Sequence, residues 1–337
     1  MGYELIGADE ILRMGITDLS QLRPVLGTNE VRSMAGNATL RKDEWEQIDT
    51  RVNDVMRERL TVVDDLRGRG LVTPVSLGTL LRVTERVSDM DAAEVSFDGD
   101  TAPTGDRPAF LRDVIPVPVI AKDFQFNWRQ LDASGRRGDP LDVSAAAIAA
   151  RKVRDKLQDL CANGFTGGPG SNPTNGTDGQ SIPGIVNAPN RLTISGASAV
   201  WDGSSPDIVG DVIKMLTTGY NSNLFGPFFL YVSKDYWAPL QQDYSTSKGD
   251  RTFLERILAF PDIAAVRPLD ALPNDTAVLV QMTEDVIDLT LAQDVTTVQW
   301  EKNPFVQLFR VIMVGGPQIK SIQTSAGATI NGIVLLI

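Results

Sequence analysis

The chain has 337 residues, 42% of them hydrophobic, which is enough for a buried core divided among two or three domains or subdomains. Its formal net charge of -11 argues against a broad basic face for nonspecific nucleic-acid binding, although local basic clusters are compatible with it. Histidine is absent and Cys161 is the single cysteine, which excludes the usual zinc ligands, a Ser-His-Asp triad and an internal disulfide. The common catalytic and metal sites built on histidine or clustered cysteines are therefore excluded.

The N-terminal sequence MGYELIGADEILRMG lacks the basic and apolar regions of a secretion signal, and no segment approaches the length of a membrane span. We expect a soluble protein that is made in a cytoplasm and has no membrane partner. Residues 1–38 mix polar and apolar side chains with scattered glycines. This pattern predicts an N-terminal arm that gains order from neighbours.

An amphipathic helix is predicted within residues 39–70. Apolar residues recur there at spacings of three and four, at Trp45, Ile48, Val52, Met56, Leu60 and Val63. Gly68 or Gly70 is expected to end the helix. Arg67 and Arg69 could touch nucleic acid, but basic residues are also typical of a helix C-terminus, and this second interpretation is favoured.

Residues 71–121 are predicted to form two strands joined by a long excursion. Apolar residues alternate with polar ones from Leu81 to Val87, and this strand could pair with the strand at Ile115. The tip between them, SFDGDTAPTGDRP, is rich in turn residues. Its aspartates lack the spacing and the terminal glutamate of an EF-hand, so a solvated turn is favoured over a calcium site at Asp98, Asp100 and Asp106.

The segment IPVPVIAKDFQFNWRQL, residues 115–131, combines two strand patterns in different phases. Its apolar residues lie at odd positions first and at even positions later: Val117, Val119 and Ala121, then Phe124, Phe126 and Trp128. Because a slip of one residue turns every side chain to the other face, we expect a bulge, bend or crossing at Lys122 and Asp123. Pro116 and Pro118 predict an unpaired edge strand.

A helix of roughly 24 residues is predicted for residues 140–163. Asp139 is placed to cap it, Pro140 takes its first position and Gly164 follows its end. The next segment, residues 164–190, is rich in Gly, Pro and Asn and predicts a loop. Its GFTGGPGSNPTNG sequence lacks the Gly-Lys-Ser/Thr ending of a phosphate-binding loop, so a surface loop is favoured.

Helices and strands alternate in the second half, which predicts a compact α/β unit. We expect a helix from Pro206 to Gly219, a strand at FFLYV, a short helix within DRTFLERILAF, and strands near 277–282, 295–300 and 305–314. The sequence STSK at Ser245 to Lys248 fits a Ser-x-x-Lys nucleophile, but its usual Lys-Thr-Gly and Ser-Asp-Asn partners are absent. A chance occurrence is the favoured interpretation.

In the order of its parts, the chain resembles the shell proteins of the tailed-phage capsid fold, and most closely their encapsulin-like branch. The resemblance covers about residues 39–320 and is carried by four segments: LRKDEWEQIDTRVNDVMRERL, IPVPVIAKDFQFNWRQLDASGRRGDPLD, QSIPGIVN and GPFFLYVSKDYWAPL. It implies an α+β chain in which residues 71–121 form an extended loop that reaches a neighbouring subunit. It also implies a peripheral domain at 122–200 with a spine helix at 140–163, an axial domain at 201–315, and a C-terminal segment at 316–337 that returns to either domain.

The resemblance implies a structural protein that is no enzyme and has no catalytic, metal or cofactor site. The expected function is that of a bacteriophage major capsid protein, which self-assembles into pentamers and hexamers of an icosahedral shell around double-stranded DNA. The expected partners are further copies of the chain, a separate scaffold, a portal, a decoration protein and nonspecifically contacted DNA. The expected location is the virion capsid, assembled in the bacterial host cytoplasm.

The alternative is an encapsulin nanocompartment that encloses an enzyme cargo. The capsid is preferred because encapsulins typically lack three features of this sequence: the long N-terminal arm, the longer excursion between the loop strands, and the Gly-rich insertion at 164–180. Each addition could clasp neighbours in a larger shell.

Arg82, Arg86 and Arg112 of the extended loop are the candidate assembly contacts, expected to meet carboxylates on neighbouring subunits. An ordinary solvated strand face is the alternative. Some relatives join a lysine of this loop covalently to an asparagine of a neighbour. No lysine occurs between Lys42 and Lys122. Because arginine stays protonated and is a poor nucleophile, we expect a shell held by noncovalent contacts.

Overall fold

A computed structural model of the chain describes residues 48, 50–52, 60–88, 90, 95, 97, 107–127, 144–166, 181–194, 200–201, 203, 207–243, 251–303, 306–323 and 328–337. The predicted N-terminal arm, the three tip aspartates and the Ser-x-x-Lys sequence lie outside these residues, as does most of the glycine-rich loop sequence after residue 166. The described part has an α+β fold with a four-stranded sheet, a five-stranded sheet and three two-stranded pairs.

The predicted N-terminal helix is divided. Residues 48 and 50–52 are helical, with Ile48 and Val52 fully buried as the spacing predicted. A separate helix, α1, runs from Thr61 to Gly68, and Leu60 before it has a non-helical backbone at φ -87° and ψ 68°. One continuous helix through Leu60 is therefore a wrong prediction, because the apolar spacing continues across a break in the backbone. The predicted end at Gly68 is confirmed.

The four-stranded sheet has the order β1, β11, β12, β4. Its strands are β1 (Val72–Pro74), β4 (Val119–Asn127), β11 (Ile287–Asn303) and β12 (Val306–Ile319). β1 is parallel to β11, and the other pairs are antiparallel. The helix predicted for 140–163 is present as α2 (Ser144–Asn163), and it packs on β4 and β12 through buried residues that include Val153, Leu157 and Leu160.

The phase change predicted at Lys122 and Asp123 is wrong. β4 continues through both residues in one register against β12, and its buried side chains all lie at even positions: Ile120, Phe124 and Phe126. Val119 and Ala121 are exposed, so their apolar character does not mark the buried face. The chain instead leaves one strand pair for another sheet at residues 117–118, between β3 (Phe110–Pro116) and β4. The predicted edge is confirmed, because β4 borders its sheet and β3 pairs only with β2 (Leu81–Val87) among the described strands.

The five-stranded sheet has the order β7, β15, β10, β8, β9. Its strands are β7 (Leu192–Ile194), β8 (Phe228–Val232), β9 (Ile263–Pro268), β10 (Ala277–Gln281) and β15 (Ile333–Leu336). The helices of this half are α3 (Ile208–Asn221), α4 (Lys234–Trp237) and α5 (Phe253–Leu258). The helix predicted after Pro206, the strand FFLYV and the short helix after Asp250 are thus confirmed.

Two hydrophobic clusters lie on opposite faces of the five-stranded sheet. On β8, Phe229 and Tyr231 join the larger cluster that also contains residues of α1 and α2, whereas Phe228, Leu230 and Val232 join a smaller cluster with α3 and α5. This two-sided burial explains why FFLYV is a continuous apolar run without alternation.

The grouping of strands into sheets differs from the predicted order of parts. The strands predicted near 295–300 and 305–314 were placed with the α/β unit of residues 201–315, but they belong to β11 and β12 and pair with β1 and β4. Conversely, β7 and β15, from the predicted peripheral and C-terminal segments, lie in the five-stranded sheet. Strand pairing is non-local, so the succession of elements did not determine it.

Three short pairs complete the fold. They are β2 with β3, β5 (Phe165–Thr166) with β6 (Ser181–Ile182), and β13 (Ile322–Gln323) with β14 (Thr329–Ile330). The predicted loop at 164–190 therefore contains a short strand pair at its described ends. Within the described ranges, no helix combines the length and the apolar character that a membrane crossing requires.

Candidate assembly interface

β2 and β3 form a two-stranded antiparallel ribbon, residues 81–87 and 110–116, called the ribbon below. Its register pairs Leu81 with Pro116 at the root and Val87 with Phe110 at the far end. The predicted pairing of these two strands across a long excursion is thereby confirmed. Because directly opposed residues share a face, the register sorts the ribbon into an outer and an inner face.

The outer face of the ribbon is apolar and exposed. Five large apolar side chains on it are between 43% and 65% exposed: Leu81, Val83, Val87, Phe110 and Val114. A single ion pair interrupts them, in which Arg112 Nε lies 3.2 Å from Glu85 Oε1. A largely apolar, exposed face on an isolated subunit is typical of a surface that a partner covers.

The inner face of the ribbon lies against its own chain and is mainly polar, with Leu111, which is 44% exposed, and the buried Ile115 as its apolar residues. Both Nη atoms of Arg82 donate to the carboxylate oxygens of Asp288 at 2.9 Å, and Nη1 also donates to Thr290 Oγ1 at 2.6 Å. Asp288 belongs to β11 and its side chain is 1% exposed. The ribbon is thus joined to the four-stranded sheet by a charged, two-pronged hydrogen bond.

The carboxylate of Asp288 is also contacted by two further side chains, Thr73 and Lys320. Lys320 Nζ lies 3.2 Å from Asp288 Oδ2, and the Thr73 hydroxyl donates to the same oxygen at 3.2 Å. Two cations therefore face one buried carboxylate, which satisfies its charge.

The inner face continues from Arg82 with Thr84 and Arg86. Thr84 Oγ1 accepts a hydrogen bond from Gln318 Nε2 at 3.4 Å. Arg86 donates to Thr329 Oγ1 at 3.1 Å and to Asp113 Oδ1 at 3.2 Å. Through Gln318 and Thr329, these inner-face contacts connect the part of the ribbon beyond Arg82 to β12 and β14. A cleft of about 440 Å³ lies beside them, lined in part by Arg86, Asp113, Asp285 and Lys320.

The structure places the three predicted arginines in different environments. Arg82 and Arg86 have carboxylate partners within their own chain, whereas the prediction put such partners on neighbouring subunits. Arg112 points outward beside Glu85, with 72% of its side chain exposed. A contact of these arginines with a neighbour stays a prediction. Sequence reasoning missed Asp288 and Lys320, since no local pattern connects them with Arg82 more than 200 positions away.

A second charged region lies where α1 meets β8 and β9. Asp65 accepts a hydrogen bond from the Tyr231 hydroxyl at 2.9 Å and pairs with Arg267 Nε at 3.0 Å. Burial raises the pKa of Asp65, and burial together with the Asp65 charge raises the pKa of Tyr231 well above its usual range. The guanidinium of Arg69 lies 4.6 Å from the centre of the Phe229 ring, which adds a cation–π contact.

The environments of Arg67 and Arg69 agree with a role at the helix end. Arg67 pairs with Asp294 at 3.3 Å, and Arg69 stacks on Phe229. Within the part of the chain that the structure describes, no group of three or more His, Cys, Asp or Glu side chains is arranged to hold a metal ion.

Comparison with known sequences adds a family and two relatives. A model described as a family of unknown function, DUF6260, matches residues 34–326. The type 1 encapsulin shell protein EncA of Myxococcus xanthus is 24% identical over 280 residues, covering 81% of this chain and 88% of that protein. The diheme-cytochrome-encapsulin shell fusion protein of Kuenenia stuttgartiensis is 26% identical over 205 residues, or 60% of this chain. That match spans only half of the fusion protein's length, 50%.

Solved structures share the fold. The virus-like particle from Pyrococcus furiosus aligns with a TM-score of 0.59 at 18% identity and covers 87% of this chain and 98% of that one. The capsid of Myoviridae phage XM1 aligns with a TM-score of 0.58 at 11% identity, and the alignment covers 80% of this chain and 90% of that one. The resemblance inferred from the sequence is confirmed: the architecture is the tailed-phage capsid fold, which encapsulin-type shells share.

Proposed function

This chain belongs to the DUF6260 family and has the fold of tailed-phage capsids and encapsulin-type shells, and from that premise we propose that it is a subunit of a self-assembling icosahedral shell. The observation that carries the proposal is the orientation of the ribbon, which turns its polar face to its own chain and its apolar face to solvent. In a monomer the apolar face would stay exposed to water, which is unfavourable. In a shell, a neighbouring subunit covers it.

In the proposed assembly, the outer face of each ribbon docks on the adjacent subunit of the same ring. Burying the exposed half of one such apolar side chain contributes roughly 1 kcal/mol, so five of them give a modest contact that is summed around the ring. A contact between different patches of successive subunits closes on an axis when the rotation allows it, as in pentamers and hexamers. Arg112 and Glu85 would fix the register of this contact through hydrogen bonds at its centre.

We propose that the shell encloses phage double-stranded DNA, with the chain as major capsid protein and with a scaffold, a portal and a decoration protein as partners. The net charge of -11 supports this, because a wall that does not bind DNA tightly lets it move during packaging. The second candidate is a nanocompartment around a protein cargo. It is favoured by the names of the two curated relatives, both of which are encapsulin shell proteins.

Negative-stain microscopy of the chain expressed alone tests the assembly. We expect closed shells, tubes or rings of five and six subunits. The double variant Val83→Lys with Val114→Lys places two charges on the outer face at directly opposed positions, and we expect it to remain folded but unassembled. Val200→Lys, at an equally exposed valine outside the ribbon, is the matched control. A parent chain that stays monomeric, or a double variant that still forms shells, would contradict the proposal.

The contents of particles purified from the source cells distinguish the two shells. Long DNA that survives nuclease treatment of intact particles identifies a capsid. A co-purifying protein cargo without protected DNA identifies a nanocompartment and removes the first candidate.

A further inference from the structure

We propose that Arg82 is a positioning residue that, through Asp288, sets the angle at which the ribbon leaves the subunit and thereby the diameter of the closed shell. The inference rests on the proposed assembly and adds to it the residue pair that determines its curvature.

The ribbon has little apolar contact with its own chain. Every ribbon residue is described, and on the inner face only Ile115, at the root, is a buried apolar residue. Apolar contacts are non-directional, so a ribbon held by them could settle at several angles. Its orientation instead depends on directional hydrogen bonds, of which those from Arg82 are the shortest.

Asp288 is a fixed point for this orientation. It lies in β11, between β1 and β12, where it is paired in register with Gln318. Lys320 and Thr73 both contact Asp288 Oδ2, at 3.2 Å each, and these additional contacts restrain the carboxylate against rotation with a moving ribbon. The planar guanidinium of Arg82 meets both oxygens at once, which fixes direction as well as distance.

The ribbon acts as a lever on the neighbouring subunit. From Leu81 to Val87 it extends about 20 Å, so a rotation of about 10° at the root displaces its far end by about 3.5 Å. Because the outer face docks on the neighbour, such a rotation changes the angle between adjacent subunits. Curvature, and with it the number of subunits that close a shell, follows from that angle.

Shell diameter is the first measurement. Arg82→Lys retains the positive charge but loses the planar fork, and Arg82→Gln loses both. We expect the parent to give shells of one diameter and both variants to give mixed diameters, open sheets or tubes. Thr290→Val removes a single Arg82 acceptor and is a milder variant in case the others do not fold. Arg67→Gln is the control. It breaks an exposed ion pair with Asp294, which lies on β11 as Asp288 does, and we expect it to leave the shell diameter unchanged.

The ribbon angle is the second measurement, and it does not require assembly. Spin labels are attached to two introduced cysteines, Val87→Cys at the far end of the ribbon and Val298→Cys on β11, and the distance between the labels is measured in the unassembled chain. The native Cys161 is buried and does not interfere. We expect one narrow distance distribution in the parent and a broad or shifted one with Arg82→Gln. An unchanged distribution, or variant shells of the parental diameter with a lower melting temperature, would reduce Arg82 to a stabilising residue and overturn the inference. A parent that forms no shells contradicts the proposed function instead, while the label distances still test the role of Arg82.

Discussion

Three glycines at helix ends differ in backbone conformation and in the space around them. Gly164 follows α2 at φ +69°, and a Cβ there would overlap the carbonyl oxygen of Ile182 and the amide nitrogen of Gly184. Gly70 has a similar φ of +72° but open space, and Gly68 has open space without a left-handed backbone. The three positions separate the cost of backbone strain from the cost of a steric clash.

Alanine at each glycine should therefore have a different effect on the free energy of unfolding. We expect Gly164→Ala to lower it by about 3 kcal/mol or more, since strain and overlap combine. Gly70→Ala should lower it by about 1 kcal/mol through strain alone. Gly68→Ala should leave it within about 1 kcal/mol of the parent, on the stabilising side. Urea denaturation measures all three, and equal effects at Gly164 and Gly70 would contradict the predicted clash.

Cys161 lies fully buried on α2, and burial raises the pKa of its thiol to about 12. Since the thiolate is the reactive form, roughly one thiol in ten thousand is reactive at pH 8. We expect no labelling by iodoacetamide in the native subunit at that pH and stoichiometric labelling in denaturant. Mass spectrometry of the intact chain provides the measurement, and rapid labelling of native protein would show that the thiol is accessible.

Gly164 and Asp288 show which single residues a sequence can identify. Gly164 was predicted to end α2 because a helical pattern and a glycine adjoin in the chain. Asp288 was not identified, because its significance comes from Arg82 and Lys320, which reach it only after β2, β11 and β12 have assembled. Arg82, Arg86 and Arg112 were predicted as assembly contacts from their place in the extended loop, which stays a prediction, and the sequence could not give their individual environments because these depend on folding.

At the scale of elements, β4 and β12 are joined across their exposed faces by Asp123 and Arg310. The guanidinium of Arg310 donates to both carboxylate oxygens, at 2.5 and 2.7 Å, and the two side chains are 44% and 45% exposed. These hydrogen bonds lower the pKa of Asp123 below the usual value for an aspartate carboxyl group. A lowered pKa in the folded state adds stability above the unfolded pKa, and this stability is lost as pH falls through the folded pKa.

The contribution of this pair to stability should therefore depend on pH. At pH 6 we expect Asp123→Asn to lower the free energy of unfolding by up to about 1 kcal/mol, a modest value because solvent screens the exposed pair. As the pH falls through the lowered folded-state pKa of Asp123, the difference from the parent should shrink and disappear, since the parental carboxylate becomes protonated. Urea denaturation over a series of acidic pH values measures this. A difference that persists at low pH would indicate that packing, and not charge, is responsible.

The strands show how far periodicity predicts an element. Alternation correctly predicted β2 and its pairing with β3, but it could not show which face of β2 lies against the chain. In β2 the polar residues face inward, where Arg82 and Thr84 find partners on β11 and β12. In β4 the exposed Val119 and Ala121 were taken for buried residues for the same reason. A period of two defines two faces, and only tertiary contacts distinguish them.

At the scale of the whole molecule, the absence of lysine from 43–121 determines how the shell is expected to be held. The ribbon carries Arg82, Arg86 and Arg112, whose guanidinium groups stay protonated and do not form amide bonds. Mature particles boiled in reducing, denaturing buffer should therefore run as one band near 36.6 kDa, or slightly below it if the N-terminal arm is trimmed. A ladder of pentamer and hexamer bands that resists boiling would contradict a noncovalent shell.

The order of parts predicted the fold, but not its division into sheets. Segments such as GPFFLYVSKDYWAPL carry a recognisable succession of strand and helix, and the solved shells confirm the architecture. The partners of β11, β12 and β15 were not predicted, because each pairs with strands far away in the sequence. Whether residues 122–200 and 201–315 act as peripheral and axial domains stays a prediction.

The position of β15 has a consequence for when the subunit can complete its fold during protein synthesis. Residues 333–336 are translated after every other described strand of the five-stranded sheet, yet they lie between β7 and β10 and are almost fully buried. Until they emerge from the ribosome, β7 and β10 have no strand between them, and the sheet cannot close. Chains that terminate early therefore lack the strand that joins the two parts of this sheet. Under the proposed function, we therefore expect subunits that end before β15 to be left out of the assembled shell.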